Sequence, residues 1–95
     1  MENTVILPNR YLHDINLSLE GKGLLTTIYN LIQQETEFEF TGECLSQYSS
    51  DTPQEIDKFL QEIIDSGYIG VITKNDVQVF TVYENPKENR KFKEN

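Results

Sequence analysis

Few side chains in this 95-residue chain are placed to do chemistry, and they fall into two kinds. The first kind would act as nucleophile or base. His13 is the only histidine and Cys44 the only cysteine. One cysteine excludes an internal disulfide framework and a multi-cysteine zinc site. His13 stands beside Asp14 with no catalytic spacing around it and reads as a surface or capping residue. Cys44 adjoins Leu45 and reads as a small core residue. No phosphate-binding glycine loop, dinucleotide fingerprint or metal-ligand spacing occurs. These residues therefore carry no expectation of catalysis, cofactor or metal. The second kind makes hydrogen bonds. Gln54, Lys58 and Gln61 recur at i, i+4 and i+7, one row along a helix. Lys and Gln are side chains that can read base edges in a DNA groove. Ser49, Ser50 and Thr52 precede that helix and can donate to phosphate oxygens at its positive end. With Lys74 farther along, the candidate DNA contacts are Ser49, Ser50, Gln54, Lys58, Gln61 and Lys74.

The charge works against that chemistry. Eight Lys and Arg face sixteen Asp and Glu, a formal charge of -8. DNA affinity comes largely from cations that neutralise phosphates, so each carboxylate nearby opposes it. Asp51, Glu55, Asp57 and Asp76 all lie among the candidate contacts. Glu35, Glu37, Glu39 and Glu43 form one acidic cluster, and Glu55, Asp57, Glu62 and Asp65 a second. An acidic surface of this kind also suits fast docking on a basic protein. Two partners are thus expected from different classes, duplex DNA or a basic protein, and thirdly a second copy of the chain. Length limits the chain to one domain, and such a chain buries roughly 60–70% of its unfolded surface. No apolar run approaches the roughly 18 residues that cross a membrane. The opening Met1-Glu2-Asn3-Thr4 has neither the basic nor the apolar region of a secretory signal. A cytoplasmic protein is expected.

The elements that must position these residues follow from periodicity. Val5 to His13, with Pro8 within it, reads as an extended edge segment whose Tyr11 and Leu12 pack inward. Ser18 is a candidate N-cap for a helix to about Gln34, with Leu24, Leu25, Ile28, Leu31 and Ile32 on its apolar face. Gly21 and Gly23 are expected where another backbone comes close. Phe38 and Phe40 alternate with glutamates as a short strand would. Thr41 caps a short helix carrying Cys44, Leu45 and Tyr48 inward. Thr52-Pro53-Gln54-Glu55 is a capping box with proline at the first helical position. Ile56, Phe59, Leu60, Ile63 and Ile64 then make an amphipathic stripe that Gly67 terminates. Two strands follow, 68–74 and 77–83, joined by Asn75-Asp76. Residues 85–95 have four basic side chains and little to bury, so they are expected to form a mobile basic tail to a domain spanning 1–84.

A short helix, a turn and a capped helix followed at once by a hairpin resembles a winged helix-turn-helix. Three segments strengthen the likeness: Leu17-Ser18-Leu19-Glu20-Gly21-Lys22-Gly23-Leu24-Leu25, Phe38-Glu39-Phe40-Thr41, and Leu60-Gln61-Glu62-Ile63-Ile64-Asp65-Ser66-Gly67-Tyr68-Ile69. They resemble the N-terminal winged-helix domains of phage and plasmid replication initiators and replisome organisers, over residues 5–84. The resemblance implies an α+β fold of three helices, a C-terminal wing and a short strand before the second helix. It also implies DNA binding in replication or regulation, in a bacterial, phage or mobile-element setting. The alternative is an acidic winged helix that docks on a basic protein, as a phage-type inhibitor or adaptor. Two departures stand out. Tyr48-Ser49-Ser50-Asp51 lacks the glycine usual in the turn, and the outward positions of the following helix carry one positive and four negative charges. In the core, Phe59→Ala is expected to cost about 3–5 kcal/mol in a denaturant titration, as for a buried aromatic.

Overall fold

Thr52 starts the helix Pro53–Asp65 by reciprocal hydrogen bonding. Its hydroxyl accepts from the Glu55 N–H at 3.2 Å, and the Glu55 carboxylate accepts from the Thr52 N–H at 2.9 Å. The computed structural model describes residues 7–89. Within them run a 3-10 turn, Tyr11–His13, then α1, Leu19–Gln33, and α2, Gly42–Leu45. A second 3-10 turn, Ser46–Tyr48, leads to α3, Pro53–Asp65. The strands β1, Ile69–Lys74, and β2, Val77–Val82, close the fold before a last 3-10 turn at Pro86–Glu88. Three helices followed by an antiparallel hairpin give a winged-helix-like topology.

Each helix end has a local cause. Ser18 caps α1 through its hydroxyl, which accepts from the Gly21 N–H at 3.0 Å. Thr41 caps α2 in the same way, accepting from Cys44 at 3.1 Å. At the end of α3, Gly67 takes φ 91°. Its N–H bonds the Ile64 carbonyl, and the Tyr68 N–H reaches back to Ile63. That pair of bonds is the Schellman arrangement. α1 ends identically, Glu35 bonding Ile32 and Thr36 bonding Leu31, but here a glutamate holds the left-handed position at φ 56°.

The core lies between α1, α3 and the base of the hairpin. Leu24, Leu25, Ile28 and Leu31 of α1 meet Leu45, Ile56, Leu60, Ile63 and Ile69. Ile32, expected on the inward face, is 44% exposed, and Tyr29 is buried instead. A tyrosine can take that place because its hydroxyl finds a partner, the Tyr83 carbonyl at 2.8 Å. Tyr11 is fully buried, tilted against Tyr29 with ring centroids 5.2 Å apart, and its hydroxyl bonds that of Thr26. Tyr68 is fully buried and donates to Asp14 at 2.8 Å. Phe59 is half-buried and packs on the core margin, so the loss expected for a fully buried aromatic is an upper limit there.

Three expectations are corrected. The residues before α2 form no strand: 36–40 has no regular secondary structure, and the sheet among the described residues has two strands, β1 and β2. The alternation of Phe38 and Phe40 serves ring packing instead. The two rings lie 4.9 Å apart, and Phe40 stacks on Phe80 of β2 at 4.7 Å. The Glu39 N–H turns to the Cys44 sulfur rather than to a neighbouring strand. Tyr11–His13 is a 3-10 turn, not an extended edge, and it turns Leu12 outward. Val5 and Ile6 lie outside the described residues. Tyr48, finally, is 43% exposed and does not point into the core.

The hairpin pairs Ile69 with Val82 through Lys74 with Val77. Asn75 and Asp76 make the two-residue turn with φ 54° and 64°, as the right-handed twist of the strands requires. Val71, Phe80 and Val82 face the core with Ile69, while Ile72, Val77 and Val79 stay exposed on the other face. The chain beyond Val82 folds back. Pro86 is buried, and the Asn89 side chain donates to the Gly67 carbonyl at 3.1 Å. One amide thus ties Asn89 to the end of α3. Arg90 to Asn95, the rest of the expected tail, lie outside the described residues.

Burial, which disfavours phenolate, raises the hydroxyl pKa of both Tyr29 and Tyr68 above the usual tyrosine range. The hydrogen bond and charge of Asp14 add to the shift at Tyr68. The folded state therefore holds these protons more tightly than the unfolded chain does. The stability they supply is complete below the ordinary tyrosine pKa of about 10 and is lost as pH rises above it. Urea midpoints are expected to fall steeply above that pH, and Tyr29→Phe to make the fall shallower.

Candidate nucleic-acid interface

α2, its turn and α3 form a tight elbow. Gly42 opens α2 against the first turn of α3. A Cβ at that position would lie 2.0 Å from the Pro53 carbonyl oxygen, closer than any atom can sit. The Gly42 N–H donates to Asp57 at 2.7 Å, so one α3 carboxylate takes up an orphan donor at the start of α2. A second carboxylate does the same for α1. Glu62 accepts from the Ser18 N–H and from the Ser18 hydroxyl, the latter at 2.8 Å. Gly21 leaves room for it, since a Cβ there would lie 2.5 Å from Glu62 Oε2. The close approach expected at Gly21 is thus to a side chain, and at Gly23 nothing comes within 4 Å.

These bonds re-sort the charges of α3. Gln54, Lys58 and Gln61 stand exposed on the helix, in one row. Glu55 is occupied by the capping box, and Asp57 and Glu62 bond the starts of α2 and α1. Carboxylates at helix N-termini face the positive end of the macrodipole, which offsets part of their field. Asp65 remains on the exposed row and accepts from the Gln61 amide at 2.9 Å. Only the capping box was visible as a spacing. The bonds of Asp57 and Glu62 join residues 15 and 44 positions apart, and no local pattern announces them.

The remaining candidates sit around this row. Ser49 and Ser50 are exposed in the turn that leads to α3. The Ser49 hydroxyl donates to Asp51 at 2.6 Å and accepts the Asp51 N–H at 3.0 Å, so its polar valences are used locally. Ser50 is exposed beside it. Lys74 is the last residue of β1, at the tip of the hairpin beside the Asn75-Asp76 turn, and is exposed. Ser49, Ser50, Gln54, Lys58 and Gln61 therefore belong to one continuous stretch of turn and helix, and Lys74 to the wing. Among the described residues no group of three or more His, Cys, Asp or Glu could hold a metal ion. His13 is exposed at the end of its turn, and Cys44 is half-buried with its sulfur accepting from the Glu39 N–H at 3.3 Å. Among the described residues no helix is long and apolar enough to cross a membrane.

Comparison with known proteins finds no matching family model, no matching curated protein and no matching solved structure.

The elbow makes a test by two identical substitutions. Gly42→Ala is expected to destabilise by about 1–3 kcal/mol despite the better helix propensity of alanine, because the Pro53 backbone must move. Gly23→Ala meets open space and is expected to stabilise by about 0.5–1 kcal/mol. Thermal or denaturant unfolding of both variants measures the opposite signs.

Proposed function

We propose that this chain is a winged-helix module that binds duplex DNA, of the kind found in phage and plasmid replication or regulatory proteins, and that it acts in the cytoplasm. α3 is the reading helix and the β1–β2 hairpin the wing. The observation that carries this reading is the exposed row Gln54, Lys58, Gln61 on α3, beside which Glu55, Asp57 and Glu62 accept from N–H groups at the three helix starts, Glu55 and Asp57 remaining exposed. The sequence likeness and the helix–turn–helix–hairpin topology support it further.

Each candidate then has a physical role. A glutamine amide can donate and accept together at an adenine edge, and lysine can donate to guanine or to a phosphate. Gln61 can exchange its bond to Asp65 for one to a base, since both are exposed. Ser50 lies just before α3, where the helix dipole favours a phosphate, and Ser49 can donate to one only in exchange for its bond to Asp51. Lys74 brings one cation from the wing. The charge of -8 leaves little non-specific attraction, so binding depends on base contacts more than on phosphate neutralisation. Two copies of the chain would present two such helices to half-sites about one DNA turn apart.

Fluorescence anisotropy with a duplex at low and moderate salt tests the reading. Affinity is expected to fall as salt rises. Lys58→Glu is expected to weaken binding about tenfold or more, the value of a base or phosphate contact, while leaving the melting temperature unchanged. Binding that Lys58→Glu leaves intact, or none even at low salt, would contradict it.

A further inference from the structure

We propose that the groove between α1, the Ser46–Tyr48 turn and the start of α3 is a docking site for an arginine side chain presented by a basic protein. This site adjoins the candidate DNA contacts at Ser49, which lines it, but does not depend on the DNA reading. The groove encloses about 270 Å³. Leu24, Leu45 and Ile56 form a buried apolar floor. Half-buried Phe59 and the exposed ring of Tyr48 are its aromatic lining. Glu20 and Asp51 are both exposed at its margin, and no basic residue is among the described residues that line it.

An unexplained glycine points to the same place. Gly21 is needed for Glu62 and Gly42 for Pro53, but a Cβ at Gly23 would meet nothing within 4 Å. The fold does not require a glycine there, and a glycine inside a helix weakens it. Gly23 lines the groove, and its missing side chain leaves bare helix backbone on that wall.

The chemistry of the lining selects the occupant. An apolar floor covers the aliphatic stem of a long basic side chain while its charged head stays at the margin. Aromatic faces attract a planar guanidinium, and a carboxylate accepts its N–H groups in pairs. Lysine satisfies the charge but lacks the planar fork. A neutral or acidic segment would bring the Glu20 and Asp51 carboxylates out of water with only the Ser49 hydroxyl to offset the loss at Asp51. The net charge of -8 steers a basic protein toward this surface.

The test titrates the isotope-labelled full chain with the blocked dipeptide acetyl-Leu-Arg-amide, followed by amide NMR. Its neutral isostere acetyl-Leu-citrulline-amide is the comparison. Saturable shifts are expected at Gly23, Leu24, Tyr48 and Phe59, with citrulline weaker by about tenfold for the lost charge-assisted bonds. Gly23→Leu, which fills the groove from an open helix position, is expected to remove arginine binding while the chain stays folded by circular dichroism. Glu20→Gln supplies a second variant that leaves the helix backbone alone, with binding weakened several-fold. Lys58→Glu is expected to leave the shifts unchanged, which separates this site from the DNA row. The proposal is overturned by an absence of shifts, by shifts spread without saturation over all the carboxylates, by equal binding of citrulline, or by unaltered binding to Gly23→Leu.

Discussion

Two carboxylates on α3 hold the starts of the other two helices. Asp57 accepts the N–H of Gly42, and Glu62 accepts the N–H and hydroxyl of Ser18. Every helix begins with N–H groups that have no partner within it, and α2 has only four residues with which to offset that deficit. A helix so short does not persist alone in water. Its place depends on Thr41 at its cap, on Asp57 from outside, and on a glycine small enough to let Pro53 lie against it. α3 itself is held by its capping box, its glycine end and an apolar stripe in the core. The starts of both other helices thus rest on α3.

The same bonds decide which surface is left for a ligand. A helix with four carboxylates and one lysine reads as hostile to DNA when all are taken as solvated. Glu55, Asp57 and Glu62 accept from N–H groups at helix starts, which offsets part of their charge although Glu55 and Asp57 stay exposed, and the row between them holds two amides, a lysine and Asp65. The chain remains acidic as a whole, and that charge has its own consequence. On the side of α3 that faces α1, an aromatic and apolar groove bears carboxylates at its margin, a setting suited to a cation. The proposed DNA row and this groove lie on different faces of α3 and meet at Ser49.

Much of the frame was legible because it is local. Thr52, Pro53 and Glu55 lie within one turn, Gly67 follows directly on the stripe it ends, and Asn75-Asp76 sits between two alternating runs. Each signal involves neighbours in the chain, and each helix and hairpin end stands close to where such signals put it. What was not legible is what happens between distant segments. Phe38 and Phe40 alternate like a strand, yet their partner is the ring of Phe80 rather than a backbone ladder. Tyr29 displaces Ile32 from the core because a carbonyl at Tyr83 is there to receive its hydroxyl. Glu35 takes a left-handed position that a sequence reader would reserve for glycine, since the two bonds that end α1 require it. Of the candidate contacts, the row on α3 was readable from spacing alone, whereas the disposal of the carboxylates beside it was not.

The most direct test is to remove those carboxylates one at a time and measure stability by urea denaturation. In a chain of charge -8, deleting a solvated carboxylate relieves repulsion, and alanine favours a helix, so an ordinary surface position gains or stays level. Asp65→Ala, which touches only the neighbouring Gln61, is the control for that case. If Asp57 and Glu62 hold the starts of α2 and α1, Asp57→Ala and Glu62→Ala will each lose about 1–3 kcal/mol, the range for hydrogen bonds to a charged group. Values within about 0.5 kcal/mol of the parent, as for an unremarked surface change, would contradict the account.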